Sequence, residues 1–300
     1  MQRVTELELP HLAMDEPAFG ADPWPHFEAA RAAHPWLATC KFGTVVSEYR
    51  AMKDLLWMDD AMHAAITDIV DIMDARDTPW GKFQVDQIIA YNGPGHKRLR
   101  DILASAFTPR QAQRHRPLMR EQIARLLDEW APRGAFDFEE FASYFPISVM
   151  CRLIGAPPAI IPDLKSSMET LGLSMAMDPA LMPALQQAAI TMYDSIEKVV
   201  ADRRAGVRQG AEEDMLDILL ATRARDGMTE DELLSLIVMM FVAGYDTSKN
   251  ALTMMMDVLI ERPADYQRCA ADPDFCARVV EENFRFHTSA TIARRTIREI

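Results

Sequence analysis

Three clusters in this chain combine residue types that could do chemistry. The first is Ala243-Gly244-Tyr245-Asp246-Thr247-Ser248, where a glycine, an acid and two alcohols interrupt an apolar stretch. A buried carboxylate is costly unless something pairs with it, and glycine weakens a helix by about 1 kcal/mol relative to alanine. Thr247 can turn its hydroxyl onto the carbonyl four residues earlier, at Ala243, which loosens and bends a helix. Two purely structural readings stay open. Gly244 allows close helix packing, and Asp246 with Lys249 is a solvated i,i+3 pair. The second cluster follows the turn Asn92-Gly93-Pro94-Gly95, a strong chain reversal, with His96-Lys97-Arg98-Leu99-Arg100 opening a helix. His96 and Arg100 are i,i+4 neighbours on one face. Both can donate to an anion at a helix start, which already favours negative charge. Between His96 and Arg125 eight Lys or Arg face two acids, Asp101 and Glu121. This is either a solvated basic face or an anion site beside a docking patch for an acidic partner. The third cluster is Glu282-Asn283-Phe284-Arg285.

One long helix must position the first cluster. The spacing predicts it from about Glu230 to Arg262, with Thr229 and Glu232 forming a capping box and Pro263 ending it. At 1.5 Å per residue it would be ~50 Å long. No charge occurs from Leu233 to Tyr245, so this half is apolar all round and belongs in a core. It is too short to span a bilayer.

Around it the chain reads as short helices and little sheet. A helix over 25–33, a hairpin of 36–39 with 44–46 about Lys41-Phe42-Gly43, and a helix from Ser47 through Leu56 come first. Residues 58–90 read as loops with broken helix. Helices are predicted over 96–107, 110–131, 138–154, 161–177, 179–204, 214–225, 264–271 and 274–286, with a weak strand over 290–296. The fold class is mainly α with a small β part, in one domain over residues 1–300.

Net charge is −13, which argues against a general nucleic-acid or anionic-membrane binder. The N-terminus has no apolar leader segment, pointing to a cytoplasmic protein. Cys40, Cys151, Cys269 and Cys276 show neither Cys-x-x-Cys spacing nor a disulfide framework, so reduced thiols are expected. Twenty methionines suit adaptable apolar pockets, although plain core filling explains most of them.

Taken in order, His96-x-x-x-Arg100, the Ala243–Thr247 interruption and Glu282-x-x-Arg285 resemble the cytochrome P-450 superfamily, the haem-thiolate monooxygenases, in the soluble bacterial style. The resemblance covers essentially the whole chain, including Asp22-Pro23-Trp24-Pro25 and the Pro-Gly-His opening of the basic helix. It implies the P-450 fold built around the long central helix, with haem b (Fe-protoporphyrin IX) as cofactor. His96 and Arg100 look like donors to a haem propionate, with Arg295 as another and Arg294 as the lesser candidate; charged donors to carboxylates form the stronger class of hydrogen bond. Ala243, Gly244 and Thr247 look like the helix face beside the iron, where a missing side chain leaves room for dioxygen. Asp246 and Thr247 look like the acid–alcohol pair that relays protons there. Glu282 and Arg285 look like a structural pair, with Glu281 as a competitor for the arginine. Met240, Ala243, Thr288, Ser289, Ala290, Thr291 and Ile292 are the expected substrate pocket, with 73–90 and 171–177 as mobile cover.

The implied activity is hydroxylation of a small or mid-sized apolar substrate with O2. Electrons would come from a ferredoxin docking near Lys97, Arg98, Arg110 and Arg114. A peroxide-driven enzyme of the same fold is the alternative, against which Asp246-Thr247 speaks, and a haem-free helical binding protein is another. The family ligates iron through a cysteine in a Phe-x-x-Gly-x-x-x-Cys-x-Gly loop. None of the four cysteines has that context, so the ligand is expected beyond Ile300, in a longer protein. A chain ending at Ile300 would lack it and be inactive. Ala290 stands where the family often has proline.

Overall fold

The computed structural model describes residues 3–104, 107–210, 213–287 and 292–298. Contacts divide the chain into two compact units, Met1–His63 with Arg294–Ile300, and Ala64–Ala293.

The smaller unit carries α1 (Pro17–Ala21), α2 (Trp24–Ala33), β1 (Leu37–Cys40), β2 (Gly43–Val46), α3 (Tyr49–Leu56), β3 (Met62–Ala64) at its edge, and β4 (Arg294–Thr296). β1 and β2 pair antiparallel with Leu37 opposite Val46 and Cys40 opposite Gly43, so the hairpin turns where the sequence predicts. β4 pairs with β3, a shorter strand than the expected 290–296. Leu12, Phe19, Ala30 and Ala38 form this unit's core.

The larger unit is helical: α4 (Ile66–Ile72), α5 (Pro79–Asp86), α6 (Gly93–Ala104), α7 (Pro109–Arg114), α8 (Arg116–Trp130), α9 (Phe138–Ile154), α10 (Ile161–Gly172), α11 (Met182–Arg204), α12 (Met215–Asp226), α13 (Glu230–Ile260), α14 (Pro263–Ala271) and α15 (Pro273–Phe286). α13 is the predicted central helix. Thr229 Oγ1 accepts from the Glu232 N–H at 3.1 Å, and Glu232 Oε2 accepts from the Thr229 N–H at 3.0 Å. Its run from Leu233 to Val238 is buried on every side, as are Met240, Phe241 and Tyr245. α9 covers it most extensively, with α10, α11 and α12 around the rest. Each such side chain contributes about 1.5–3 kcal/mol relative to exposure. Among the described residues no helix is long and apolar enough to cross a membrane.

Three predicted segments come out differently. Residues 73–90 are not loose cover: they include α5, whose Trp80 and Phe83 are buried in the main core. A Cβ on Gly81 would lie 1.8 Å from the Ala75 carbonyl oxygen, so α5 rests directly on the preceding turn. The predicted helix over 110–131 breaks at His115, because Pro117 opens α8 and its ring cannot sit in a continuing helix. The one over 161–177 ends at Gly172, followed by a 3-10 turn and Met177 at φ 50°.

Arg203 knits the ends of three helices together. It donates to Asp214 through two hydrogen bonds of 2.7 Å, to Asp217 at 2.7 Å, and to the Gly155 carbonyl at 3.2 Å. A Cβ on Gly155 would sit 2.0 Å from Asp214 Oδ2, and its φ of +77° favours glycine.

Candidate functional site

The interruption in the central helix is chemical and not geometric. α13 is regular through residues 243–248, and the Thr247 hydroxyl donates to the Ala243 carbonyl at 2.6 Å, the back-bond anticipated from sequence. Ala243, Thr247 and Ser248 are exposed, forming a small-residue face with an alcohol on it. Asp246 is half-buried beside them. A Cβ on Gly172, at the end of α10, would lie 4.0 Å from Asp246 Oδ1.

Gly244 does not belong to that face. A Cβ there would meet Met150 Sδ at 3.0 Å and Cγ at 3.3 Å, so its missing side chain admits α9. The expectation that it leaves room for dioxygen is corrected by this contact. Asp246 and Lys249 do not pair either, since Lys249 reaches across to Glu139 at 3.1 Å. Tyr245 is fully buried and its hydroxyl donates to Glu169 Oε1 at 3.1 Å. Burial, reinforced by the Glu169 charge, holds that phenol far above its ordinary range, so it stays protonated. Met240 is part of the buried core.

α6 starts on Gly93, at φ +55°, and buries Leu99. Of the cations in its first two turns, Lys97 pairs with Asp101 at 2.5 Å and Arg98 with Glu232. His96 and Arg100 form no hydrogen bond or ion pair with a described residue. One turn apart, they present two uncommitted donors on one side of the helix. The Arg98–Glu232 contact positions them, because the carboxylate that caps α13 also grips α6. Burial pushes the Glu232 carboxyl up, but Arg98 and the Thr229 amide and hydroxyl outweigh it and hold it below its ordinary value. Lys97 and Arg98 are thus engaged within the fold. All four residues of the expected docking patch, Lys97, Arg98, Arg110 and Arg114, are exposed.

On α15, Arg285 forks onto Glu282 through hydrogen bonds of 2.7 and 2.6 Å, and Arg285 holds the Glu282 carboxyl below its ordinary range. Glu281 takes no part in that pair. Asn283, read from sequence only as a spacer, donates to the Ala251 carbonyl of α13 at 3.1 Å and is buried. It docks the helix carrying the Glu-x-x-Arg pair onto the central one.

In the smaller unit, Arg294 donates to Asp59 at 2.8 Å and to the Met62 carbonyl, while Arg295 is exposed on the next rung. Thr288, Ser289, Ala290 and Thr291 lie outside the described residues, and Ile292 is 64% exposed. A cavity of 610 Å³ lies among α7, α8, the end of α9 and the start of α12, and one of 200 Å³ lies around Glu139, Lys165, Glu169 and Lys249. Neither borders Ala243 or Thr247, both of which are exposed.

The sequence profile of the Cytochrome P450 family matches residues 170–297. The chain is 29% identical over 284 residues to luteothin monooxygenase of Streptomyces thioluteus, covering 93% of this chain and 68% of that protein. It is 28% identical over 216 residues to the putative cytochrome P450 YjiB of Bacillus subtilis, covering 70% of this chain and 54% of the relative. In three dimensions it is similar to CalO2, with a TM-score of 0.81 at 21% identity over 94% of this chain and 70% of that one.

Proposed function

Because the chain belongs to the cytochrome P450 family, we propose that it serves a cytoplasmic haem monooxygenase. The substrate would be a small or mid-sized apolar molecule, hydroxylated with O2 and electrons from a ferredoxin. The observation that carries this reading is the Thr247 hydroxyl held on the Ala243 carbonyl at 2.6 Å, on an exposed face of a buried helix, next to a half-buried acid.

The residues present suit a haem b. Its two propionates need cationic or N–H donors, and His96 and Arg100 are uncommitted donors side by side. Bound haem would supply dioxygen activation and oxygen insertion. The chain supplies the rest. His96 and Arg100 bind and orient the carboxylates. Ala243 keeps the helix face low, so that small apolar molecules can approach. The back-bond fixes Thr247 Oγ1 with its lone pairs directed away from the helix, ready to accept one proton and pass on another. Asp246, on α13 beside Gly172 of α10, stands next in line in the relay.

None of the four cysteines is assigned as the iron ligand. Cys151 is buried, and burial pushes its thiol up to about 12, which opposes a thiolate. For the electron donor, Lys97, Arg98, Arg110 and Arg114 offer exposed positive charge, with Lys97 and Arg98 also paired to Asp101 and Glu232.

Haem titration tests the reading. A protein that carries this chain together with the expected cysteine loop should bind haem with a sharp Soret band, and His96→Ala with Arg100→Ala should weaken that binding at least tenfold, about 1.4 kcal/mol or more. Equal haem affinity in the double variant would remove the propionate assignment, and absence of haem binding would remove the function.

A further inference from the structure

The cavity of 610 Å³ is of the size that holds organic ligands, and the proposed monooxygenase reaction assigns it no role. Its lining comes from α7, the His115 break, α8, the end of α9 and the start of α12. The apolar part includes buried Cys151, Ala156 and Met215, with Leu118 and Ile218 half-buried. Gly155 and Asp214, which also line it, are the residues that Arg203 ties together. The ends of α9 and α12 are therefore fixed to one another, and that part of the cavity is preformed. The charges around it are balanced and uncommitted. Arg114 and Arg152 line it as cations, Glu121 and Glu213 as carboxylates. All four are exposed. Among the described residues none of their side chains makes a hydrogen bond or ion pair, even with another of the four. Asp214 is already neutralised by Arg203. His115 adds no third cation, because burial and then the Arg114 charge hold its imidazole below its ordinary range.

We propose that this cavity binds a zwitterion with an apolar body, of the chemical class of hydrophobic dipeptides. The ligand carboxylate goes to Arg114 and Arg152, whose planar guanidiniums match a carboxylate fork to fork. The ligand ammonium goes to Glu121 and Glu213. The apolar body covers the Cys151, Ala156 and Met215 side. An anion of the same shape would leave both glutamates facing it, and a cation would meet both arginines; like charges brought together oppose binding. The volume exceeds what a single amino acid fills and suits a dipeptide. Neither Ala243 nor Thr247 borders the cavity, so nothing here depends on the proposed monooxygenase activity.

Isothermal titration with phenylalanyl-leucine tests it, beside two analogues of the same body. N-acetyl-phenylalanyl-leucine keeps only the carboxylate, and phenylalanyl-leucinamide keeps only the ammonium. The free dipeptide should bind saturably, once per chain, and raise the thermal midpoint by mass action. Each analogue should bind about tenfold or more weakly, the size of one lost charge-assisted contact. In the double variant Arg114→Gln with Arg152→Gln, the dipeptide should fall to the affinity of its amide. In Glu121→Gln with Glu213→Gln, it should fall to that of the N-acetyl form. No saturable binding of the dipeptide, an analogue that binds as tightly, or wild-type affinity in both double variants would each overturn the proposal. The three ligands on the wild-type protein decide the charge requirement even if a variant folds poorly.

Discussion

Replacing Gly244 by valine separates the two roles a glycine could have on the central helix. Alanine there would gain about 1 kcal/mol in helix propensity, but its Cβ would sit 3.0 Å from Met150 Sδ. Met150 is flexible and half-buried, so Gly244→Ala should come out near neutral. Valine adds two methyl groups against the same side chain and against α9. Overpacking of that kind costs about 1–3 kcal/mol. Unfolding entropy of about 2.1 cal/mol/K per residue over 300 residues makes 2 kcal/mol a fall of ~3 °C in Tm. The decisive arm is Met150→Ala in the Gly244→Val background. Room opened at Met150 should recover ~1 kcal/mol or more beyond additivity, read from thermal or urea unfolding of all four proteins. Additive effects, with Gly244→Val destabilising by the same amount whatever stands at 150, would refute the assignment of Gly244 to helix packing.

Two further outcomes follow from buried charge. Arg203→Met should cost about 3–5 kcal/mol, because Asp214 would lose its arginine and Asp217 would keep only Arg208; a urea midpoint within error of wild type would contradict the network. Stability should also fall in acid. Glu232 and Asp217 have carboxyls lowered from 4.5 and 3.8, burial opposing and their arginines prevailing. A lowered folded pKa contributes stability that is complete above the ordinary value and disappears as pH falls through the folded one. Tm should therefore drop below about pH 4, less steeply in Arg98→Met, and an unchanged slope in that variant would count against the Glu232 contribution.

Local rules made part of this architecture legible. Thr229 and Glu232 lie three residues apart, Pro263 ends α13, and Thr247 reaches Ala243 within one turn, so each can be read from a few neighbouring residues. What stayed hidden depends on contacts distant in sequence. The side of α13 that Gly244 presents is decided by Met150, and the grip of Arg98 on Glu232 joins residues 134 apart. Trp80 and Phe83 turned an apparently loose segment into core, because a short helix with two inward aromatics has no periodicity long enough to recognise. Asn283 was visible only as a spacer, since nothing local indicates that its amide finds the Ala251 carbonyl.

The most direct test of the relay is coupling in Thr247→Ala. In a protein that carries this chain together with the expected cysteine loop, with haem bound and a ferredoxin supplying electrons, electrons consumed per hydroxylated product should rise several-fold in the variant, and the surplus should appear as peroxide or water. Haem content and substrate affinity should hold at wild-type levels. Wild-type coupling in Thr247→Ala, with haem and substrate bound normally, would contradict the claim that this hydroxyl handles the proton.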